Sequence, residues 1–259
     1  MARAWTMAFY VSMTILVIDS GCWESLGAKK GKDLENEAME GEEQSVLVVR
    51  GGHAYDTPAF EKMCLSLEGL RVDLVLSSHM YQMKTKDILA KYDAILFLNY
   101  NSSCPEHEWN KRKYLEIADA GVGMVFLHFT LASQPGWTEY HDMVGGEWFY
   151  PNYAEDASQY SSLYTDVSVE LEVVNPDHPV TQGLENFVLT DAFYGNIYIA
   201  PEAEPLLETQ HPNVSRTIAW THEYKHAKIV YIMPGFTAKA YENDSYRRLI
   251  ANSLRYVGE

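Results

Sequence analysis

Residues Met124–Ser133 read MVFLHFTLAS. The first four are a continuous apolar run, preceded by Gly121 and Gly123 and closed by a histidine. A short run without alternation reads as a strand buried on both faces. Three similar runs precede it: Ser45–Val49 (SVLVV), Val72–Leu76 and Tyr92–Leu98 (YDAILFL). Helical spacing lies between them. Thr57–Leu67 places Phe60, Met63, Cys64 and Leu67 on one face, and Lys84–Lys91 is a shorter helix. Pro105 suits the first turn of a helix to about Ala120, and Gly121 suits its C-cap. Strand and helix alternating in this way predict an α/β fold, its mostly parallel sheet covered by helices on both faces.

Beyond Ser133 the rhythm breaks. Ser133 to Tyr164 is aromatic, glycine-rich and irregular, which predicts a long functional loop. Thr165–Val174 alternates and reads as a half-exposed strand. Pro205–Thr209, Thr217–Trp220 and Lys228–Met233 read as further short strands. Asn243–Val257 closes the chain as an amphipathic helix with Tyr246, Leu249, Ile250, Leu254 and Val257 facing inward. His222 and His226 are four apart but flank a turn, where that spacing does not align them on a metal.

The amino-terminal residues read differently. Arg3 and the apolar segment Ala8–Ile18 resemble the start of a secretory signal, too short for a comfortable membrane span. Ile18-Asp19-Ser20-Gly21-Cys22 resembles a bacterial lipoprotein processing site, with Asp19 where an aliphatic residue is preferred. The expected organisation is an export signal over 1–22 with Cys22 as lipidation site, a flexible polar linker over 23–44, and one domain over 45–259. Export to the periplasm or cell envelope, with a lipid anchor to the membrane, follows as an expectation.

A net charge of −16, with no stripe of Lys or Arg, argues against a nucleic-acid partner. The three cysteines, Cys22, Cys64 and Cys104, lack CxxC spacing, which excludes a zinc ribbon or a thioredoxin-type motif.

Several fragments, taken in order, resemble the ThuA-like (trehalose utilisation) family. They are Gly51-Gly52-His53, Val125-Phe126-Leu127-His128, Met143-Val144-Gly145-Gly146-Glu147-Trp148 and His178-Pro179-Val180-Thr181-Gln182-Gly183-Leu184. Asp191-Ala192-Phe193-Tyr194, Ile218-Ala219-Trp220, Lys228-Ile229-Val230-Tyr231 and Pro234-Gly235 complete the series, so the resemblance spans about Ser45 to Val257. It implies the flavodoxin-like, three-layer α/β/α sandwich of class I glutamine amidotransferases. In such sheets ligands bind outside the carboxyl ends of the strands, where His53, Asn99 and His128 fall. No cysteine occupies a strand-end turn and no G-x-S-x-G occurs, so glutaminase chemistry and a serine elbow are not expected.

The resemblance further implies a role in carbohydrate metabolism, on a disaccharide or keto-sugar. His53 and His128 are then the acid–base or metal-binding pair, with Asp191 and Tyr194 orienting substrate. Asn99, Trp137, His141, Trp148 and Trp220 are candidate substrate contacts. His53, His128 and His141, with Asp191, have suitable chemistry for a divalent metal such as zinc. A homo-oligomer is compatible with the same reading. Two positions depart from the family pattern: Ala192 stands where a carboxylate is common, and Phe236 where a histidine is often found. They favour the alternative, a non-catalytic carbohydrate-binding or interaction module.

Overall fold

The computed structural model describes residues 43–101, 108–151 and 159–259, with only the backbone described over 108–110. The export signal, Cys22, nearly all of the linker, Cys104 and the helix start at Pro105 lie outside the described residues. In chain order the strands are β1 (Gln44–Gly51), β2 (Leu70–Leu76), β3 (Ala94–Asn99), β4 (Gly123–Leu127) and β5 (Gly146–Glu147). They continue as β6 (Ser162–Val173), β7 (Phe187–Gly195), β8 (Tyr198–Ile199), β9 (Glu204–Glu208), β10 (Thr217–Tyr224) and β11 (Ala227–Ile232). The helices are α1 (Thr57–Leu65), α2 (Ser77–Gln82), α3 (Thr85–Leu89), α4 (Glu108–Asp119), α5 (Thr138–Val144), α6 (Ala238–Tyr241) and α7 (Asp244–Val257).

Nine strands form one sheet in the order β2-β1-β3-β4-β11-β10-β9-β6-β7. The pairings β2–β1, β1–β3, β3–β4 and β4–β11 are parallel. From β11 to β10 and onward every pairing is antiparallel. The mixed sheet follows from composition. β3 and β4 are buried at every residue, as strands covered on both faces must be, whereas β6 alternates and leaves a polar side to water. The direction of strand order reverses between β1 and β3, the place where open α/β sheets hold ligands.

Helices cover both faces. α7 packs across β3, β4 and β11 together with α6 and α1. Tyr114 of α4 and Tyr140 of α5 pack on the rings of Phe97 and Phe126 from the sheet. The caps are local: Asp56 accepts from the Ala59 N–H at 3.2 Å, and Asn243 accepts from the Tyr246 N–H at 3.0 Å. The five expected inward residues of α7 are all buried.

Several elements differ from the sequence reading: the short helices α2 and α6 and the short strands β5 and β8 are not expected from the pattern, and β6 begins at Ser162 rather than Thr165. Part of the expected loop over Ser133–Tyr164 is helical, as α5. β10 continues past Trp220 to Tyr224. β7 is a full strand although Thr190 and Asp191 interrupt its apolar pattern. Its pairing with β6 and the burial of Asp191 outweigh the poor local propensity.

Candidate functional site

β4 ends directly at His128, whose φ is +50°, a left-handed conformation unusual for a residue with a side chain. A short 3-10 turn over His128–Ala132 follows. Three contacts hold this elbow. The His128 carbonyl accepts from the Tyr231 hydroxyl at 2.8 Å, and its Nδ1 donates to the Met233 carbonyl at 2.8 Å. The ring lies against Tyr194, centroids 4.8 Å apart and planes 18° apart. A carbonyl only accepts, so Nδ1 carries the proton and Nε2 the lone pair. Only 2% of the residue is exposed, and this burial, aided by nearby His53, lowers its pKa to about 3. His128 is therefore neutral around pH 7.

β1 leads into Gly51-Gly52-His53. Gly52 has φ +82°, and a Cβ there would lie 1.9 Å from the Tyr100 carbonyl oxygen, so a side chain cannot fit. The turn sets exposed His53 beside Phe129, Tyr100 and Phe236, at centroid distances of 4.6, 5.7 and 6.2 Å. Its Nδ1 donates to the Ala54 carbonyl at 2.8 Å, which again assigns the lone pair of the neutral ring to Nε2.

His53, Tyr100, Phe129, Ala132, Trp148, Tyr150, Leu163 and Tyr194 line a cleft of about 210 Å³ at the carboxyl ends of β1, β3 and β4. Trp148 meets Tyr194 edge to face at 4.9 Å. Tyr194 is buried, which pushes its phenol well above the usual range and keeps it a hydrogen-bond donor. A wider depression of about 810 Å³ lies at the opposite sheet edge, lined by Gln44, Ser45, Gly69 and Asp93 among others. Those residues mark strand beginnings, so the smaller cleft is the candidate site.

His53, Tyr194 and Trp148 thus meet in the cleft. His128 belongs to the layer behind it, against Tyr194, Phe129 and Phe236, rather than in the lining. The expected His53–His128 pair is close in space, but only His53 faces the opening, because the elbow turns the His128 ring in toward Met233.

Other expected contacts lie elsewhere. Asp191 is fully buried and accepts from the backbone N–H groups of Gly235, Phe236 and Thr237 at 2.6, 3.0 and 2.9 Å. Burial pushes its carboxyl above the usual range, against the pull of those donors. It ties down the loop after β11. Asn99 is buried on β3 and is not among the residues that line the cleft. Trp137 stacks on Tyr140, and Trp220 stacks on Tyr231 and donates to the Val144 carbonyl at 2.9 Å. Both are core residues. A Cβ on Gly146 would lie 2.9 Å from the Trp220 ring, a close approach that accounts for glycine in the Gly145-Gly146 pair. His141 pairs with Glu147 at 3.1 Å. The metal set of His53, His128 and His141 is not assembled, and among the described residues no three His, Cys, Asp or Glu side chains converge suitably for a metal.

Tyr100, Phe129, Ala132 and Leu163 line the cleft without having been singled out, and Tyr150 does so as one of the loop aromatics suited to a sugar face. Phe129 is adjacent to His128 and Tyr100 to Asn99, so strand-end position was the available signal. Tyr150 lies in the aromatic loop, whereas Leu163 carries no local signal.

The fold is similar to that of class I glutamine amidotransferase-like structures, with a histidine at the strand-end elbow after β4. The subunit described as PurLQS from Thermotoga maritima superposes with a TM-score of 0.54 at 14% identity, covering 83% of this chain and 99% of that one. The chain belongs to the ThuA (trehalose utilisation) family, whose model matches residues 45–257. A ThuA-like protein from Parabacteroides merdae superposes with a TM-score of 0.67 at 16% identity, covering 83% of this chain and 90% of that one. One from Bacteroides uniformis gives 0.63 at 18% identity, covering 90% and 95%. No curated protein matches the sequence.

Proposed function

We propose that the cleft binds a sugar or keto-sugar ring and that the protein acts on it through His53. The observation that carries this reading is the juxtaposition, in an aromatic cleft at the sheet's switch point, of one exposed imidazole and one buried phenol. Flat rings such as Trp148 suit the apolar face of a pyranose. On a keto-sugar, the Nε2 lone pair of His53 takes the proton from the carbon beside the carbonyl. The electron pair left behind moves onto the carbonyl oxygen, where the Tyr194 hydroxyl donates to it. His128 is a positioning residue: neutral and anchored, it backs the Tyr194 ring.

The test is turnover and binding of oxidised disaccharides by His53→Ala and Trp148→Ala. General acid–base catalysis contributes about 10²–10⁴-fold, so His53→Ala should lose turnover on that scale while still binding sugar. Trp148→Ala should lose binding. Undiminished turnover by His53→Ala sinks the acid–base role. The second reading, a non-catalytic binding module, draws support from Ala192 and Phe236, which put apolar groups where the family has titratable ones. It predicts binding without turnover in the unaltered protein.

We also propose export and anchoring at the cell envelope through Cys22, on the strength of residues 1–22 alone. Metabolic labelling with palmitate should mark the protein, and Cys22→Ala should abolish the label.

A further inference from the structure

We propose that the ligand is an uncharged glycoside with an apolar aglycone, its sugar ring beside His53 and Tyr194 and its aglycone over Leu163. This rests on the sugar reading above and narrows it.

The first observation is charge. The chain carries 20 Lys and Arg and 36 Asp and Glu, yet among the described residues none of these lines the cleft. A phosphate or carboxylate drawn in would lose water with no lysine or arginine among the described lining residues to pair it. Ala192, on the same face of β7 as Tyr194, and Phe236, against His53, keep the surroundings apolar.

The second is hydrogen-bonding capacity. The Tyr150 hydroxyl donates to the Ala132 carbonyl, so it can only accept from Tyr100, 3.0 Å away. Both phenolic protons are thereby used within the wall. Among the described residues, the lining side-chain groups left to a ligand are His53 Nε2, the Tyr194 hydroxyl, the Trp148 indole N–H and the accepting lone pairs of the Tyr100 oxygen, enough for one ring. The rest of the described lining is apolar: Phe129, Ala132, the face of the Trp148 ring and Leu163.

The third is space and the nature of the rim. About 210 Å³ is below the roughly 300–1,000 Å³ usual for small-molecule pockets. One ring therefore fits inside, and whatever is attached to it lies at the mouth. Leu163 pairs directly across the ladder with Tyr194, which places the two side chains on one face about 5 Å apart at Cβ. It is 51% exposed, a large apolar side chain left to water beside the deepest part of the cleft. A second sugar over Leu163 would set hydroxyls against a surface that cannot pair them. A phenyl or alkyl group would bury it.

Calorimetry on the full chain tests this with methyl and phenyl glucosides and galactosides of both anomers, trehalose and glucose 6-phosphate. The expected result is a phenyl glycoside binding at least tenfold tighter than its methyl counterpart and than trehalose, with glucose 6-phosphate unbound. Leu163→Asn should bring the phenyl-to-methyl ratio close to one. Methyl glycosides bound as tightly as phenyl ones, tighter binding of trehalose or the phosphate, or a preference that survives Leu163→Asn overturns the aglycone inference and leaves the sugar reading standing. If none of these binds, the aglycone inference falls, and if the oxidised disaccharides fail to bind as well, the sugar reading falls with it.

Discussion

Tyr194 and His128 are held together by one residue, Met233. The Met233 carbonyl accepts from His128 Nδ1 at 2.8 Å, and its thioether sulfur accepts from the Tyr194 backbone N–H at 3.2 Å. The two rings then stack with centroids 4.8 Å apart. The cleft wall formed by Tyr194 is therefore set by the loop after β11 as much as by β7 itself.

The state of His128 makes folding stability depend on acid. Its pKa is lowered from 6.5 to about 3, first by burial. Between those values the unfolded chain binds a proton that the folded chain does not, so stability rises with pH across this window and is lost as pH falls through it. At about 1.4 kcal/mol per unit, the loss on acidification from pH 7 to 4 is on the order of 3 kcal/mol. Urea denaturation at both pH values measures it. In His128→Gln this part of the pH dependence should vanish, and an unchanged slope would refute the assignment.

Asp191 is expected to matter for stability and for the shape of the cleft. Asp191→Ala removes the acceptor for three backbone donors, one buried and two half-buried. Each bond to a charged group contributes about 1.5–3 kcal/mol, and the losses overlap, so roughly 3–5 kcal/mol is expected in the urea midpoint. Asp191→Asn keeps one acceptor oxygen and should lose less. A stability equal to the parent in both variants would show that the loop after β11 is held by other means.

Gly52→Ala tests the turn that presents His53. The added Cβ would lie 1.9 Å from the Tyr100 carbonyl, at a φ of +82°. Strain of this kind costs about 1–3 kcal/mol before the clash is counted. The expected variant either folds poorly or displaces His53, lowering sugar binding with a reduced melting temperature. Thermal unfolding and calorimetry of the one variant separate these outcomes, and parent-like values in both would remove the claim.

Much of the fold was legible in the chain itself. SVLVV, AILFL and MVFL are continuous apolar runs, and such runs mark strands covered on both sides. The parallel half of the sheet and the closing helix α7 follow from that patterning alone. The positions of His53 and His128 at strand ends were legible for the same reason. What remained hidden depends on pairings between distant residues. β7 is a strand because β6 lies beside it, not because Thr190 and Asp191 favour one. Asp191 looked free to meet a substrate until the loop 44–46 residues further on closed over its carboxylate. Trp137 and Trp220 have the composition of sugar-binding residues, and only packing assigns them to the core. The sequence by itself determined the strands, their burial and the residue types at their carboxyl ends. Tertiary structure decided that His128 turns in to Met233 while His53 faces the opening, since hydrogen bonds across 105 residues leave no local pattern to read.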